Sequence, residues 1–201
     1  MADDWLLALA ESVWLLPALF VLTVADAFLV VLPSEIAVAA LASLWAASGS
    51  PSLLAVILVA ATAAVVGDSA CYVIGRFVGT DRWRWQRGPR MSKALHRVHG
   101  TFRRRAAVLV FTARYVPYAR IAVNLTAGST HYPYRWYLPL SVAAGTTWAL
   151  YHGLVGAFFG MWFREHPVLA VAITIIGAIA LGLTVDFLLG RIRRRTGTTP
   201  A

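Results

Sequence analysis

The residues able to do chemistry in this sequence are few, and two of them sit where a charge is least expected. In Phe111-Thr112-Ala113-Arg114-Tyr115-Val116-Pro117-Tyr118-Ala119-Arg120, two arginines stand symmetrically about a proline, inside an otherwise apolar run from Ala106 to Gly128. One arginine at the centre of a bilayer costs roughly 2.5–3.5 kcal/mol on insertion scales. Two therefore need a reason. Pro117 lacks an N–H and clashes with a preceding carbonyl, so a straight helix through it is not expected. The pattern predicts a re-entrant helical hairpin over 106–128, broken at Pro117, with both guanidiniums facing a wet cavity. Irregular backbone is tolerated at membrane depth only where protein or water satisfies it. The plainer alternative is that both arginines snorkel to the interface as anchors.

Arginine presents a planar fork that holds a phosphate bidentately and keeps its proton at any ordinary pH. Arg114 and Arg120 are thus candidates for a phosphate head group, with pairing to Glu35 and Asp26 as the purely architectural alternative. Glu35 follows Pro33-Ser34 in an apolar setting. Desolvation favours a carboxyl's neutral form and a nearby arginine its charged form; a group held between the two can carry a proton. Asp26 has the same potential with less force, and an interfacial acid at a helix end is an equal reading. Asp68 shares a helical face with Tyr72 at i, i+4. It reads first as a buried polar packing group and second as a charge partner.

The remaining polar residues suggest less. His96 and His99 lie in a basic segment without the further ligands that a metal needs, so no metal and no cofactor are expected. Asn124-Leu125-Thr126 matches a glycosylation sequon by pattern only. Cys71 is the single cysteine, so an intramolecular disulfide is excluded.

These residues require elements that hold them in oil. The chain has 201 residues, 59% hydrophobic and 13% charged, with a mean hydropathy of +0.68. Soluble domains carry about 25% charged residues, so a single polytopic membrane domain over 1–201 is expected. The net charge of +9 does not point to nucleic acid, because the arginines cluster in short segments between apolar runs. The reading is all-α, with about four transmembrane helices plus two oppositely oriented re-entrant hairpins. An interfacial segment, 1–12, comes first, and no cleaved signal peptide is expected. A first half, 13–79, contains a hairpin at 28–47 broken at Pro33. A basic cytoplasmic loop covers 80–105. A second half, 106–189, holds the hairpin at 106–128, and 190–201 is a basic cytoplasmic tail.

The positive-inside bias puts both basic segments, and hence both termini, in the cytoplasm. The hairpins then enter from opposite sides and meet near the midplane, the layout of an inverted-repeat transporter. Gly75-x-x-x-Gly79 and Gly156-x-x-x-Gly160 are expected to serve packing within the chain first and contact between copies, as a homo-oligomer, second.

Four stretches together resemble the DedA family, also called the SNARE-associated or VTT-domain family. Pro33-Ser34-Glu35 is similar to its Pro-Gly-acidic motif, with Ser34 in place of the usual glycine. Gly67-Asp68, Tyr72, Gly75-Arg76 and Gly79 resemble its G-D-x-x-x-Y-x-x-G-R-x-x-G helix. Phe111, Arg114, Pro117 and Arg120 resemble its F-x-x-R-x-x-P-x-x-R motif. Ala127-Gly128, an aromatic-rich segment, Gly145 and Trp148 complete the match, which covers about Asp26 to Gly160.

The resemblance implies a multi-pass protein of the bacterial inner membrane that moves a lipid, with undecaprenyl phosphate the best candidate and a phospholipid the other, coupled to the proton motive force. It also implies roles for Asp26, Glu35, Arg114 and Arg120. The expected partners are a membrane lipid and protons, and no enzyme activity is expected. Two alternatives stay open: a membrane-embedded lipid-phosphate enzyme, disfavoured by the lack of a nucleophile–histidine arrangement near the arginines, and a passive phospholipid scramblase.

Overall fold

The computed structural model of the chain describes residues 12–29, 33–79, 102, 105–114 and 119–162. Among them every regular element is a helix. These are α1 (Leu15–Asp26), α2 (Ser34–Ser48), α3 (Leu53–Val78), α4 (105–113), α5 (Ala119–Ser129) and α6 (Tyr134–Trp162). The expectations for the interfacial segment, most of the basic loop, Pro117, the span after Trp162 and the tail lie outside the described residues.

The all-helical expectation holds over the described chain. Helix α3, with 26 residues, is the one described helix that is both long and apolar enough to cross a membrane. Helices α1 and α5 have 12 and 11 residues, or about 18 and 16 Å at 1.5 Å per residue, roughly half of a hydrocarbon core. Helix α2 is an unbroken 15-residue helix that starts directly after Pro33. A return arm therefore does not fit inside 28–47, and the break falls between α1 and α2. Helix α4 ends at 113 with Arg114 in a turn directly after it, and Arg120 lies in the first turn of α5, while 115–118 lie outside the described residues.

The chain divides into two compact units. The larger takes Val13–Ser34 and Leu54–Tyr151, and the smaller includes Glu35–Leu53 and the chain from His152. In the larger unit Tyr72, Phe102, Ala106, Val110, Ala127, Tyr137 and Ala144 form a buried core. Helix α3 buries Ala60, Ala61, Ala63, Ala64, Gly67, Cys71 and Gly75, while Leu54, Leu58, Val66, Val73 and Phe77 face outward. Most of the buried positions of α3 are small, with Val56, Ile57 and Tyr72 the larger ones, and large apolar side chains also face outward, which suits a molecule whose surroundings are as apolar as its core.

The small residues let backbones meet. A Cβ at Gly75 would strike the backbone of Leu125, and one at Gly128 the backbone of Tyr72, so α3 and α5 cross through reciprocal glycines. In the smaller unit Gly156 and Gly160 similarly face the carbonyls of Ala39 and Ser43. Gly79 differs from the expected packing role. A Cβ there would meet nothing within 4 Å among the described residues, its φ is +63°, and its N–H bonds back to the Gly75 carbonyl. It ends α3 in the left-handed conformation that glycine takes without penalty.

Gly128→Ala should therefore lower stability in detergent by about 1–3 kcal/mol, the usual cost of overpacking. Gly145→Ala, where the nearest atom is the Val65 Cγ2 at 3.4 Å, should lower it much less. Melting midpoints of the two variants side by side check this; an equal drop would contradict the backbone crossing.

Candidate functional site

The site grows out of Gly67-Asp68. At Gly67 a Cβ would sit 2.6 Å from the Ala27 Cβ and 3.3 Å from the Val24 carbonyl, so glycine lets the end of α1 lie against α3. The Cys71 thiol tightens the same contact by donating to the Ala27 carbonyl at 3.2 Å. Asp26, the last residue of α1, is thereby brought close to Asp68.

Asp68 is buried in the second half of α3. Its Oδ2 accepts from Arg114 Nη1 at 2.7 Å and from Ser141 Oγ at 3.1 Å. Its Oδ1 accepts from Arg120 Nε at 2.8 Å and from Asn124 Nδ2 at 2.9 Å. A carboxylate offers about four lone-pair sites, and four donors fill them. The donors come from both arms of the interrupted element and from α6, and Tyr137 of α6 adds a bond to the Asp68 backbone carbonyl at 3.2 Å.

Arg120 also reaches Asp26, Nη1 to Oδ2 at 3.0 Å, and Ser34 donates to the same oxygen at 2.9 Å. A helix end repels a like charge: Asp26 stands at a C-terminus and Arg120 in an N-terminal turn, each poorly placed for its own helix dipole. Pairing the two offsets both. Arg114 lies with its guanidinium carbon 5.2 Å from the Trp148 ring centroid, within reach of a cation–π contact.

Two carboxylates thus balance two guanidiniums. The sequence suggested a cationic, anion-seeking pair; folding has countered both charges, because helices α1 and α3 bring an acid to each. The donor side is less complete than the acceptor side. Arg114 Nε, Arg114 Nη2 and Arg120 Nη2 are buried and have no hydrogen-bond partner among the described residues. The Arg114 and Asp68 side chains are each 3% exposed, whereas those of Arg120 and Asp26 are each 13% exposed. The more open side of the cluster is therefore the Arg120–Asp26 side.

Of the residues singled out in the sequence, Asp26, Asp68, Arg114 and Arg120 meet here. Glu35 lies in the first turn of α2, exposed, in the smaller unit. Pro33 precedes that helix, and Pro117 lies outside the described residues. Asp68 is a hub where the sequence suggested mainly a packing group. Asn124, Ser141 and Tyr137 were not foreseen. Their signal was present as helical spacing: Asn124 is four residues after Arg120, and Tyr137, Ser141 and Trp148 recur on the buried face of α6.

With this geometry in place, comparison with known proteins is informative. The model of the VTT domain matches residues 32–158. The chain belongs to the VTT-domain, or DedA, family. It is 30% identical to Protein DedA of Escherichia coli K12 over 156 residues, covering 74% of this chain and 70% of that protein. It is also 31% identical over 103 residues to an uncharacterized membrane protein of Mycobacterium tuberculosis, covering 50% of this chain and 44% of that one. No solved structure matches. This VTT-domain chain is accordingly a membrane protein. The matched stretch holds Asp68, Arg114, Arg120, Asn124 and Ser141, while Asp26 precedes it.

Asp68→Asn keeps the shape but leaves Arg114 buried without its counter-charge, which should cost about 3–5 kcal/mol. Asp26→Asn, at the wetter pair, should cost clearly less. Unfolding midpoints in one detergent check the order; Asp26→Asn as the more damaging change would contradict a hub at Asp68.

Proposed function

We propose that this chain moves a phosphate-bearing lipid across the bacterial inner membrane, undecaprenyl phosphate or a phospholipid, with coupling to the proton motive force. The carrying observation is the imbalance at the cluster: a carboxylate with its acceptor sites full beside three buried guanidinium nitrogens without partners. Phosphate oxygens are the acceptors that arginine forks match best.

The cluster is charge-balanced, so an anionic head group arriving alone would leave a net negative charge in a low-dielectric setting. A proton arriving with it restores the balance. Asp26, the more exposed acid, takes that proton and releases Arg120 to the phosphate, while Asp68 keeps Arg114 in place. Head group and proton then move together, and the apolar tail stays in lipid. A ligand drives such a change only through different affinity for two arrangements; here the difference is Arg120 paired with Asp26 against Arg120 paired with phosphate. Glu35, exposed at the start of α2, is a second proton carrier. No bond is broken, so the chain is a carrier and not an enzyme.

The architecture that serves this has about four spans, cytoplasmic termini, and two interrupted helical elements, around Pro33 and around 115–118, entering from opposite sides. The short helices α1, α2 and α5 support that reading, since at 12, 15 and 11 residues none reaches across a bilayer alone.

In proteoliposomes, labelled undecaprenyl phosphate or phospholipid should cross faster with the protein present, and faster again under a pH gradient. Arg114→Lys and Arg120→Lys should slow crossing about tenfold or more, as a point charge replaces a fork. Asp26→Asn should retain slow crossing and lose the response to the gradient. Full activity of either Lys variant would refute the role of the forks, and release of phosphate from a polyprenyl pyrophosphate would make the chain an enzyme instead.

A further inference from the structure

At the end of α3 a second set of polar groups lies outside the buried cluster. Tyr72, Val73, Arg76, His131, Pro133 and Tyr134, all of the larger unit, line a cavity of about 480 Å³, within the range of roughly 300–1,000 Å³ usual for small-ligand sites. Arg76 is exposed in the last turn of α3. Its Nη1 donates to the Tyr72 hydroxyl at 3.2 Å, and that hydroxyl donates to the Tyr132 carbonyl at 2.6 Å. A neutral hydroxyl orients the guanidinium without countering its charge. Among the described residues no carboxylate pairs with Arg76; the ion pairs run to Arg114 and Arg120.

His131 brings a second polar group to the cavity at a backbone cost. Its φ is 55°, in the left-handed region where glycine is the usual residue. It closes α5 in a Schellman arrangement, with His131 N–H to the Gly128 carbonyl at 2.9 Å and Tyr132 N–H to the Ala127 carbonyl at 3.0 Å. Glycine would fit that position without strain, yet the chain places an imidazole there, beside Arg76. The Tyr134 hydroxyl, 3.0 Å from Ser69 Oγ, adds a third polar group. Val73 lines the cavity as well, and two turns further into the helix, on the same face, Val66 is exposed.

From this arrangement we infer that the Arg76–His131–Tyr134 pocket binds the phosphate head group of an anionic membrane lipid, with its acyl chain along Val73 and Val66 toward the middle of α3. An exposed arginine without a carboxylate partner among the described residues supplies the charge, the imidazole and phenol supply further hydrogen bonds, and the apolar rail selects a lipid over free phosphate. The pocket is distinct from the Arg114–Arg120 cluster and stands whether or not the chain transports lipid. Its wall nonetheless touches that cluster: Tyr72 stacks on Tyr137 at 4.8 Å between centroids, and Tyr137 holds the Asp68 backbone.

The test is native mass spectrometry of the full chain released from nanodiscs of phosphatidylcholine doped with phosphatidic acid. The wild type should retain phosphatidic acid in preference to phosphatidylcholine. Arg76→Gln should lower that retention about tenfold, the scale of one lost charge-assisted contact. His131→Gly should lower it too, and because glycine suits the backbone there, misfolding does not explain the loss. Arg135→Gln, an exposed cation next along the chain that does not line the cavity, should leave retention unchanged. Excess inorganic phosphate should fail to displace the lipid. Equal retention of the two lipids by the wild type, an unaffected Arg76→Gln, an equal loss in Arg135→Gln, or ready displacement by inorganic phosphate would each overturn the inference.

Discussion

Everything described in the larger unit converges on one buried carboxylate that has no acceptor capacity left. Asp68 sits among mostly apolar and small residues of α3, where an ionised side chain is expensive to keep unless it is paired and fully hydrogen-bonded. Four side-chain donors meet that requirement. They come from three different stretches of chain, so satisfying one acid fixes how α3, α5, α6 and the end of α4 lie together. In a low-dielectric interior such a bond set is stronger than in water, and a missing member is correspondingly costly.

The same chemistry explains how a chain can hold two arginines deep inside. Each guanidinium finds a carboxylate, and Arg114 also finds an indole face. The pairing is unequal in a way that matters. Asp68 is saturated and sealed, so it acts as a fixed post. Asp26 and Arg120 share the wetter edge and can exchange partners at less cost. Three guanidinium nitrogens left over on the arginines are then the groups for which an incoming oxygen would do most. A neutral cluster with spare donors is a different object from a bare cationic site: it accepts an anion best when a proton comes too.

Backbone proximity makes the cluster reachable. Polar side chains of ordinary length meet at 2.7–3.1 Å only because the helices beneath them approach through glycine. Gly67 admits Ala27, and Gly75 and Gly128 let α3 and α5 touch backbone to backbone. In a membrane, where apolar surface gains little by leaving lipid, close van der Waals packing and interhelical hydrogen bonds must hold helices together. This unit uses both at the same crossing, one residue from its buried acid.

The sequence by itself determined a good deal. Composition and apolar runs gave an all-helical membrane chain. The paired arginines about a proline marked the stretch at which α4 ends and α5 begins, and the order of short motifs marked the family. All of these are local properties: hydropathy, proline geometry and residue spacing along one strand of chain. What only the tertiary structure decided was who pairs with whom. Glu35 and Asp26 were expected first as partners of the arginines and Asp68 second; Asp26 does pair with Arg120, but Asp68, 46 and 52 residues away from the arginines, is the shared one. Asn124 and Ser141 joined it unannounced. A lone aspartate in a helix looks the same in sequence whether it packs quietly or anchors four donors, because the difference lies in which distant side chains arrive. That depends on helix crossings set by glycines whose contacts no local pattern reveals.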